Sequence, residues 1–224
     1  MRDLTLIIPA KYESESLPFF LEEIKNINCK KLVVLQEDDK DTINVVKNFN
    51  SVEIFYQKKL GYGAALIEGI NHISTNYFCI INADGSMNPS DLGKMYLRVY
   101  ENNLDFIFAS RYETPGGGSD DDDFITSVGN FFFTKIGNIF FSLKITDILF
   151  TYVMGKTKSF NNLMLNSKDF TICVEFPIKL KRQKYKYLTI PSYERNRIAG
   201  KKKVNPFKDG LLILIKMIKL FFIK

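Results

Sequence analysis

The sequence predicts an α/β protein whose central sheet is mostly parallel and is flanked by helices. Short apolar runs alternate along the chain with segments that carry a helical stripe of apolar residues, and this alternation requires a parallel sheet. The apolar runs are continuous, as expected for strands that are covered on both faces. With 224 residues, 46% of them hydrophobic and 25% charged, the chain is long enough for one domain with a sizeable core.

The first half of the chain contains the clearest elements. Strands are predicted over 4–8, 31–35, 52–56, 78–81 and 106–109. Helices are predicted over 17–24, capped by Ser14 or Ser16, and over 42–49, 61–72 and 90–100. Residues 113–123 contain no apolar residue, so they are expected to form a mobile surface loop. That loop is either simply solvated or acts as a lid beside a ligand crevice.

The second half is more apolar. A helix that is apolar nearly all round is predicted over 124–150, with buried core as its favoured environment and a membrane surface as the alternative. Residues 174–180 and 187–190 are predicted to be strands or strand–helix pieces. The last segment, 211–224, has fourteen residues of which eleven are apolar, fewer than the roughly 20 needed to span a bilayer. It is predicted to be an amphipathic helix after a 1–210 domain, either membrane-interfacial or docked on the protein's own sheet or on a symmetry mate.

Charge is distributed unevenly. The chain carries a formal net charge of +6, and residues 179–224 hold fourteen Lys and Arg against Glu194 and Asp209, a net of +12 that leaves −6 for residues 1–178. A basic end on an acidic body favours phosphate groups or an anionic membrane surface as partners, and no nucleic acid is expected.

The cellular location of the protein is predicted from its cysteines and its first apolar run. Three cysteines, far apart and without a C-x-x-C pair, indicate neither a disulfide framework nor a zinc site. The apolar run 4–8 is too short for a signal-peptide core. A cytoplasmic protein, peripheral at the inner face of the membrane, is therefore expected. The single His72 falls in a predicted helix, where a structural role is favoured over a catalytic one.

The stretch 80–89 carries the strongest chemical signal. A buried strand breaks into small residues that present Asp84, and a carboxylate at the carboxyl end of such a strand is suited to Mg²⁺ held together with substrate phosphates. An Asp that closes a turn before Pro89 is the alternative. Gly61 and Gly63 either let a phosphorylated ligand approach a helix N-terminus or form an ordinary turn. Arg111, at a strand end, pairs either with phosphate or with a loop carboxylate.

Six segments occur in the order found in family 2 glycosyltransferases, and the chain resembles that family over residues 4 to about 210. The segments are IIPAKYE (7–13), QEDDKDT (36–42), GYGAA (61–65), NADGS (82–86), ASRY (109–112) and RIAGKKK (197–203). The dolichol-phosphate mannosyltransferase group is the branch that it resembles most. The resemblance implies a GT-A fold, a nucleotide-diphosphate sugar donor linked to UDP or GDP, and Mg²⁺ or Mn²⁺ as cofactor.

The resemblance also implies roles for individual residues. Asp84 would bind the metal with help from Ser86, and Arg111 would face donor or acceptor phosphate. Arg197 and Lys203 would close over the diphosphate and, with Asp84 and Arg111, form the catalytic set. The remaining donor-binding positions would be Pro9, Tyr12, Glu13, Glu37, Gly61, Gly63, Asn82 and Ala83.

Three positions depart from the family pattern. Asn82 stands where the family usually carries an acidic residue at the start of the metal-binding segment 82–86. Metal binding is therefore expected to depend more strongly on the phosphates of the donor. Gln36 and Glu37 stand where an acidic pair is expected, which leaves the nucleotide open. Asp122 and Asp123 lie where polyprenyl-phosphate enzymes tend to carry an Arg, and their charge would repel an acceptor phosphate.

The predicted function is a metal-dependent inverting hexosyltransferase with a lipid or glycan acceptor. Two alternatives are a sugar-1-phosphate nucleotidyltransferase and a catalytically silent protein that binds anionic lipid or a partner. The first would require a Gly- and Arg-rich loop after the first strand, which residues 9–13 do not provide.

Overall fold

The computed structural model describes residues 1–223, and Lys224 lies outside the described residues. A seven-stranded sheet with the order β3-β2-β1-β4-β7-β5-β8 forms the centre of the fold. Its strands are β1 (Leu4–Pro9), β2 (Lys30–Leu35), β3 (Glu53–Tyr56), β4 (Tyr77–Ile80), β5 (Phe106–Ser110), β7 (Val153–Lys156) and β8 (Tyr187–Pro191). A separate small ribbon pairs β6 (Gly118–Ser119) with β9 (Tyr193–Glu194).

Helices connect the strands and cover the sheet. They are α1 (Leu17–Glu23), α2 (Lys40–Val46), α3 (Tyr62–His72), α4 (Asp91–Glu101), α5 (Phe124–Phe141), α6 (Thr157–Asn162), α7 (Ile172–Arg182) and α8 (Pro206–Phe222). The central strand β1 is buried on both faces: Leu6, Ile7 and Ile8 have no exposed surface. The predicted α/β class with a mostly parallel sheet is thereby confirmed.

The direction of the strands determines where a site forms. All neighbouring strands of the large sheet run parallel except β7, which is antiparallel to β4 and β5. The loops that follow β1, β2, β4 and β5 therefore leave the sheet at one edge, its carboxyl edge, where such sheets bind ligands. His72 is at the other edge, because it bonds at 2.7 Å to Glu53, the first residue of β3.

Two predicted elements differ in the structure. Helix α5 ends at Phe141 rather than at residue 150, since Ser142 and Lys144 adopt left-handed backbone conformations and turn the chain towards β7. Residues 174–180 lie in helix α7 and not in a strand. An apolar run that is buried on all sides shows the same continuous pattern in a helix as in a strand, so periodicity alone does not separate them.

The C-terminal helix is longer than predicted and crosses the proposed boundary at residue 210. Helix α8 begins at Pro206, where the Asn205 side chain accepts a hydrogen bond from the Lys208 N–H at 3.0 Å. Ile213, Met217 and Leu220 are buried against α5 and α7. One face of the helix therefore belongs to the protein core. Across residues 1–223, no helix is both long and apolar enough to cross a membrane.

Candidate active site

Asp84 lies at the carboxyl edge in a tight turn after β4. Its Oδ1 accepts hydrogen bonds from the Ser86 N–H at 3.1 Å and the Ser86 hydroxyl at 2.9 Å. Gly85 has a φ of +76° and packs under Ile198, so a side chain at this position would be strained and would clash. The other carboxylate oxygen, Oδ2, lies 3.7 Å from Nη1 of Arg197. Ser86 thus orients Asp84 and leaves Oδ2 directed at residues 195–203, the basic loop between β9 and α8.

The oxygen atoms of Asp84 and Ser86 fit a divalent metal ion whose remaining ligands are phosphate oxygens. Within residues 1–223 no group of three or more His, Cys, Asp or Glu converges on a metal position. One carboxylate with a neighbouring hydroxyl does not form an all-protein cage, but Mg²⁺ is often bound by one or two carboxylates together with substrate phosphates. The residues present therefore fit a metal that binds together with a diphosphate.

Tyr62 holds Asn82, and the sequence had suggested no role for this tyrosine. Its hydroxyl donates to Asn82 Oδ1 at 3.2 Å and accepts from the Thr151 hydroxyl at 2.6 Å. The ring stacks on Phe170 with 4.9 Å between centroids. Burial raises the pKa of Tyr62, so the hydroxyl stays protonated and continues to donate. The amide that replaces the family's acidic residue is thereby fixed in orientation.

The loop after β1 is fastened to the start of α2. The Tyr12 N–H donates to Asp39 Oδ2 at 2.6 Å, and the Glu13 N–H donates to the Thr42 hydroxyl at 3.0 Å. Asp39 also caps α2, accepting from the Thr42 N–H at 3.3 Å. The family resemblance implies Glu37, in the loop between β2 and α2, as a donor-binding residue. Glu37 is exposed, whereas Asp39 is buried.

Glu13 and Lys203 meet although they are far apart in sequence. The Glu13 carboxylate is buried, accepts from the Ser16 hydroxyl at 2.5 Å and forms an ion pair with the Lys203 ammonium. The loop after β1 and the basic loop therefore lie side by side and form one wall of the crevice at the carboxyl edge of the sheet. Pro9 ends β1 beneath them, and Ala83 is buried next to Asp84.

The glycines at the start of α3 accommodate protein backbone. A Cβ atom at Gly61 would lie 2.2 Å from the Lys168 carbonyl oxygen, and one at Gly63 would lie 2.4 Å from the Ser167 carbonyl oxygen. The Ala64 N–H donates to Lys168 O at 3.0 Å. Residues 167–169 therefore occupy the place where a phosphorylated ligand was predicted to approach. Only the glycine requirement of that prediction is met.

Arg111 is buried in an ion-pair cluster rather than directed at phosphate. Its Nε and Nη2 donate to the two oxygens of Asp147 at 2.7 and 3.0 Å, and its Nη1 donates to Glu194 at 3.1 Å. Although burial acts to lower the pKa of Arg111, the charges of Asp147 and Glu194 raise it overall. Of the two predicted roles, the structure places Arg111 in the second, tying loop carboxylates.

The acidic run 120–123 is also paired, contrary to the expected mobile loop. Asp120 accepts from the Tyr193 hydroxyl at 2.6 Å, and Asp121 binds Arg197. Asp122 accepts from the Ser127 hydroxyl at 3.0 Å and from the Tyr112 hydroxyl. Asp123 caps α5 and binds Lys202 at 3.0 Å; the Thr126 N–H, followed by Lys202, lowers its pKa to about 2. The run is held by residues 193–202 on one side and by α5 on the other.

Curated relatives and solved structures show what this chain is similar to. An uncharacterized glycosyltransferase of Mycobacterium bovis and one of Mycobacterium tuberculosis are each 29% identical over 113 residues, which is 50% of this chain and 50% of theirs. The chain therefore spans about half the length of the curated relatives it matches.

Solved structures of similar fold cover nearly the whole chain. Glucosyl-3-phosphoglycerate synthase from Mycobacterium tuberculosis, in complex with Mn²⁺, UDP and glucosyl-3-phosphoglycerate, has a TM-score of 0.75 at 9% identity and covers 100% of this chain and 81% of its own. Mannosyl-3-phosphoglycerate synthase from Rubrobacter xylanophilus has a TM-score of 0.66 at 14% identity, covering 97% and 72%. These identities support the GT-A-like fold alone. Residues 5–164 match the family described as Glycosyl transferase family 2, and the chain belongs to that family.

Proposed function

We propose that this protein is a metal-dependent, inverting glycosyltransferase that moves a hexose from a UDP- or GDP-linked sugar to an acceptor carried at the cytoplasmic face of a membrane. The observation that carries this proposal is Asp84, held by Ser86 with one carboxylate oxygen facing Arg197 at the ligand-binding edge of the sheet. The similar glucosyl-3-phosphoglycerate synthase is described in complex with Mn²⁺ and UDP-glucose, which supports the same donor chemistry here.

The residues around Asp84 suit the departure of a nucleoside diphosphate. Mg²⁺ or Mn²⁺ bound at Asp84 would stabilise the negative charge that develops on the leaving diphosphate. Arg197 and Lys203 lie in the loop that borders the same oxygen, so their side chains supply further positive charge to the diphosphate. Tyr62 keeps the Asn82 amide in place, and the loop 10–13 is rigidly fixed to α2, which suits it to hold the base and ribose of the donor.

A membrane-borne acceptor is favoured by a second feature, the two-helix surface. Helices α5 and α8 touch through the rings of Phe140 and Phe221, whose centroids are 5.8 Å apart. Both helices leave many apolar side chains exposed, among them Phe124, Val128, Phe131, Ile139 and Phe140 on α5 and Phe207, Leu211, Ile215, Ile218 and Phe222 on α8. These ten residues define the two-helix surface.

The charges on these helices favour an anionic lipid surface as the occupant. Lys135, Lys208 and Lys219 are exposed on α5 and α8, whereas Asp209 is the single acidic residue in the two helices. Exposed apolar residues combined with basic ones are typical of helices that bind in the interface of anionic membranes. Helix α5 begins directly after Asp123, which binds Lys202 of the basic loop, so the surface adjoins the mouth of the crevice.

Nucleotide binding tests the donor part of the proposal. In calorimetry with Mn²⁺, either UDP or GDP is expected to bind with micromolar affinity, and removing Mn²⁺ with EDTA is expected to weaken binding at least tenfold, because the diphosphate loses its cation. CDP and TDP serve as controls for base selection. If none of these nucleotides binds in the presence of Mn²⁺ or Mg²⁺, the glycosyltransferase proposal is wrong.

Vesicle flotation tests the membrane part. The full chain is expected to bind phosphatidylglycerol vesicles and not pure phosphatidylcholine vesicles. The double variant Leu211→Ser and Ile218→Ser is expected to lose about tenfold in partitioning, since two exposed apolar side chains no longer enter the lipid.

The matched control replaces two exposed leucines elsewhere, Leu60→Ser and Leu97→Ser, and should bind vesicles as the unmodified chain does. Equal partitioning of all three proteins contradicts the membrane proposal. So does a dimer in sedimentation that the Leu211 and Ile218 variant dissociates, because a second copy would then cover this surface.

A further inference from the structure

Arg197 is shared between Asp84 and an acid that no sequence pattern connects with the site. Its Nη2 and Nε donate to the two oxygens of Asp121 at 2.5 and 3.1 Å, while Nη1 lies 3.7 Å from Asp84 Oδ2. The three side chains are only 13–20% exposed. Burial acts to lower the pKa of Arg197, but Asp121, Asp84 and Glu13 raise it, so the guanidinium remains a cation.

Arg197 offers Asp84 a positive charge, as the proposed metal would, and Asp121 offers Arg197 two oxygens, as the proposed diphosphate would. A positive group lies beside the one carboxylate oxygen of Asp84 that Ser86 leaves for a metal. At the same time, Asp121 offers the guanidinium two oxygens in the bidentate geometry that a diphosphate also offers.

We propose that Arg197 and Asp121 form an internal stand-in for the metal and the diphosphate: Arg197 takes the place of the metal beside Asp84, and Asp121 takes the place of the diphosphate on Arg197. Asp121 is thus a positioning residue that holds Arg197 until the donor arrives. The inference rests on the proposed function, because the exchange partners are its metal and its donor.

The backbone around the pair is fixed, so the exchange needs only a side-chain movement. The Arg195 N–H donates to Ser86 O at 2.8 Å, and the Ile198 N–H donates to Asp84 O at 2.8 Å. These two bonds, one before and one after Arg197 in the sequence, hold the basic loop against the turn at residues 82–86. Two further cations of the loop, Lys202 and Lys203, are paired with Asp123 and Glu13. Arg197, Lys202 and Lys203 are therefore each paired with a carboxylate.

Metal and diphosphate should then bind cooperatively. A metal that binds alone at Asp84 is repelled by the positive charge of Arg197. A diphosphate that binds alone must displace Asp121 from Arg197. When both bind, Arg197 leaves Asp84 for the diphosphate, and each ligand removes the obstacle to the other. A reciprocal increase in affinity follows from this coupling.

Two variants separate the two halves of the proposal. Arg197→Gln is expected to bind Mn²⁺ alone about fivefold more tightly than the unmodified chain, measured as free Mn²⁺ by electron paramagnetic resonance, because the competing cation is gone. Asp121→Asn is expected to bind UDP or GDP in EDTA about fivefold more tightly, because Arg197 no longer has to leave a carboxylate.

Asp120→Asn is the matched control for Asp121→Asn. Asp120 is the adjacent residue of the same run and binds Tyr193 rather than Arg197, so its variant should leave nucleotide affinity in EDTA unchanged. An acid that only supports the loop predicts the opposite sign, weaker nucleotide binding in Asp121→Asn.

Unchanged or weaker nucleotide binding in Asp121→Asn, or unchanged Mn²⁺ binding in Arg197→Gln, overturns the stand-in proposal. Provided the unmodified chain binds nucleotide with Mn²⁺, either result leaves the proposed function intact. If the unmodified chain binds no nucleotide under any condition, the proposed function fails and the stand-in proposal fails with it.

Discussion

Replacing Asp84 with Asn is expected to lower Mn²⁺-dependent binding of UDP or GDP, and turnover of the corresponding nucleotide sugar, by about 100-fold or more. The physical reason is that one carboxylate supplies the protein's only charge to the metal in the proposed site. The fold should persist, because the Asp84 carbonyl still accepts from Ile198 and an Asn Oδ1 still accepts from Ser86. Calorimetry with and without Mn²⁺ measures the loss directly.

Asp38→Asn is the control for this variant. Asp38 is exposed in the loop after β2 at the same edge of the sheet, so its replacement changes net charge equally without touching the turn at 82–86. Nucleotide binding that keeps its full dependence on Mn²⁺ in the Asp84 variant would show that the metal binds elsewhere.

The elements of the first half could be predicted because each depends on local pattern. The strand at 4–8 and its neighbours are continuous apolar runs of strand length, and the parallel sheet follows from their spacing. The site could be located for the same reason. Residues that follow parallel strands emerge at one edge of the sheet, and the sequence predicts Asp84 at the carboxyl end of such a strand.

The partners of the charged residues could not be predicted. Arg111 binds Asp147 and Glu194, which are 36 and 83 residues away, and Arg197 binds Asp121, 76 residues away. A sequence shows which residues are charged but not which distant residue neutralises them. This is why Asp120 to Asp123 resembled a solvated loop, and why Arg111 resembled a phosphate ligand.

The same limitation applies to the apolar helices. Helix α5 is apolar nearly all round, and only part of it enters the core: Phe133 is buried, whereas Phe124 and Phe131 are exposed. Helix α8 likewise buries Ile213 and Met217 and exposes Leu211 and Ile218. Each helix therefore has a buried apolar face and an exposed one, and the membrane surface stays a prediction for the exposed faces.

Replacing Arg111 with Met is expected to lower the free energy of unfolding by about 3–5 kcal/mol, because the change leaves the Asp147 and Glu194 carboxylates buried without a counter-ion. Chemical denaturation followed by circular dichroism measures the loss. Arg111→Lys keeps one charge but cannot bind Asp147 through two nitrogens, so it should lose less and provides a stable variant if the Met variant does not fold.

The dependence on pH separates this role from phosphate binding. Burial already raises the pKa of Glu194 even with Arg111 present, and removing the Arg would raise it further. A buried acid with a raised pKa destabilises the fold while ionised, so the deficit of Arg111→Met should shrink as the pH falls from 7 towards 5. Lys25→Met, which breaks the exposed pair with Glu22, should cost less than about 1 kcal/mol at either pH. An Arg111→Lys variant with unchanged stability and weakened nucleotide binding would instead restore Arg111 to the donor site, since a phosphate ligand contributes to binding and not to the core.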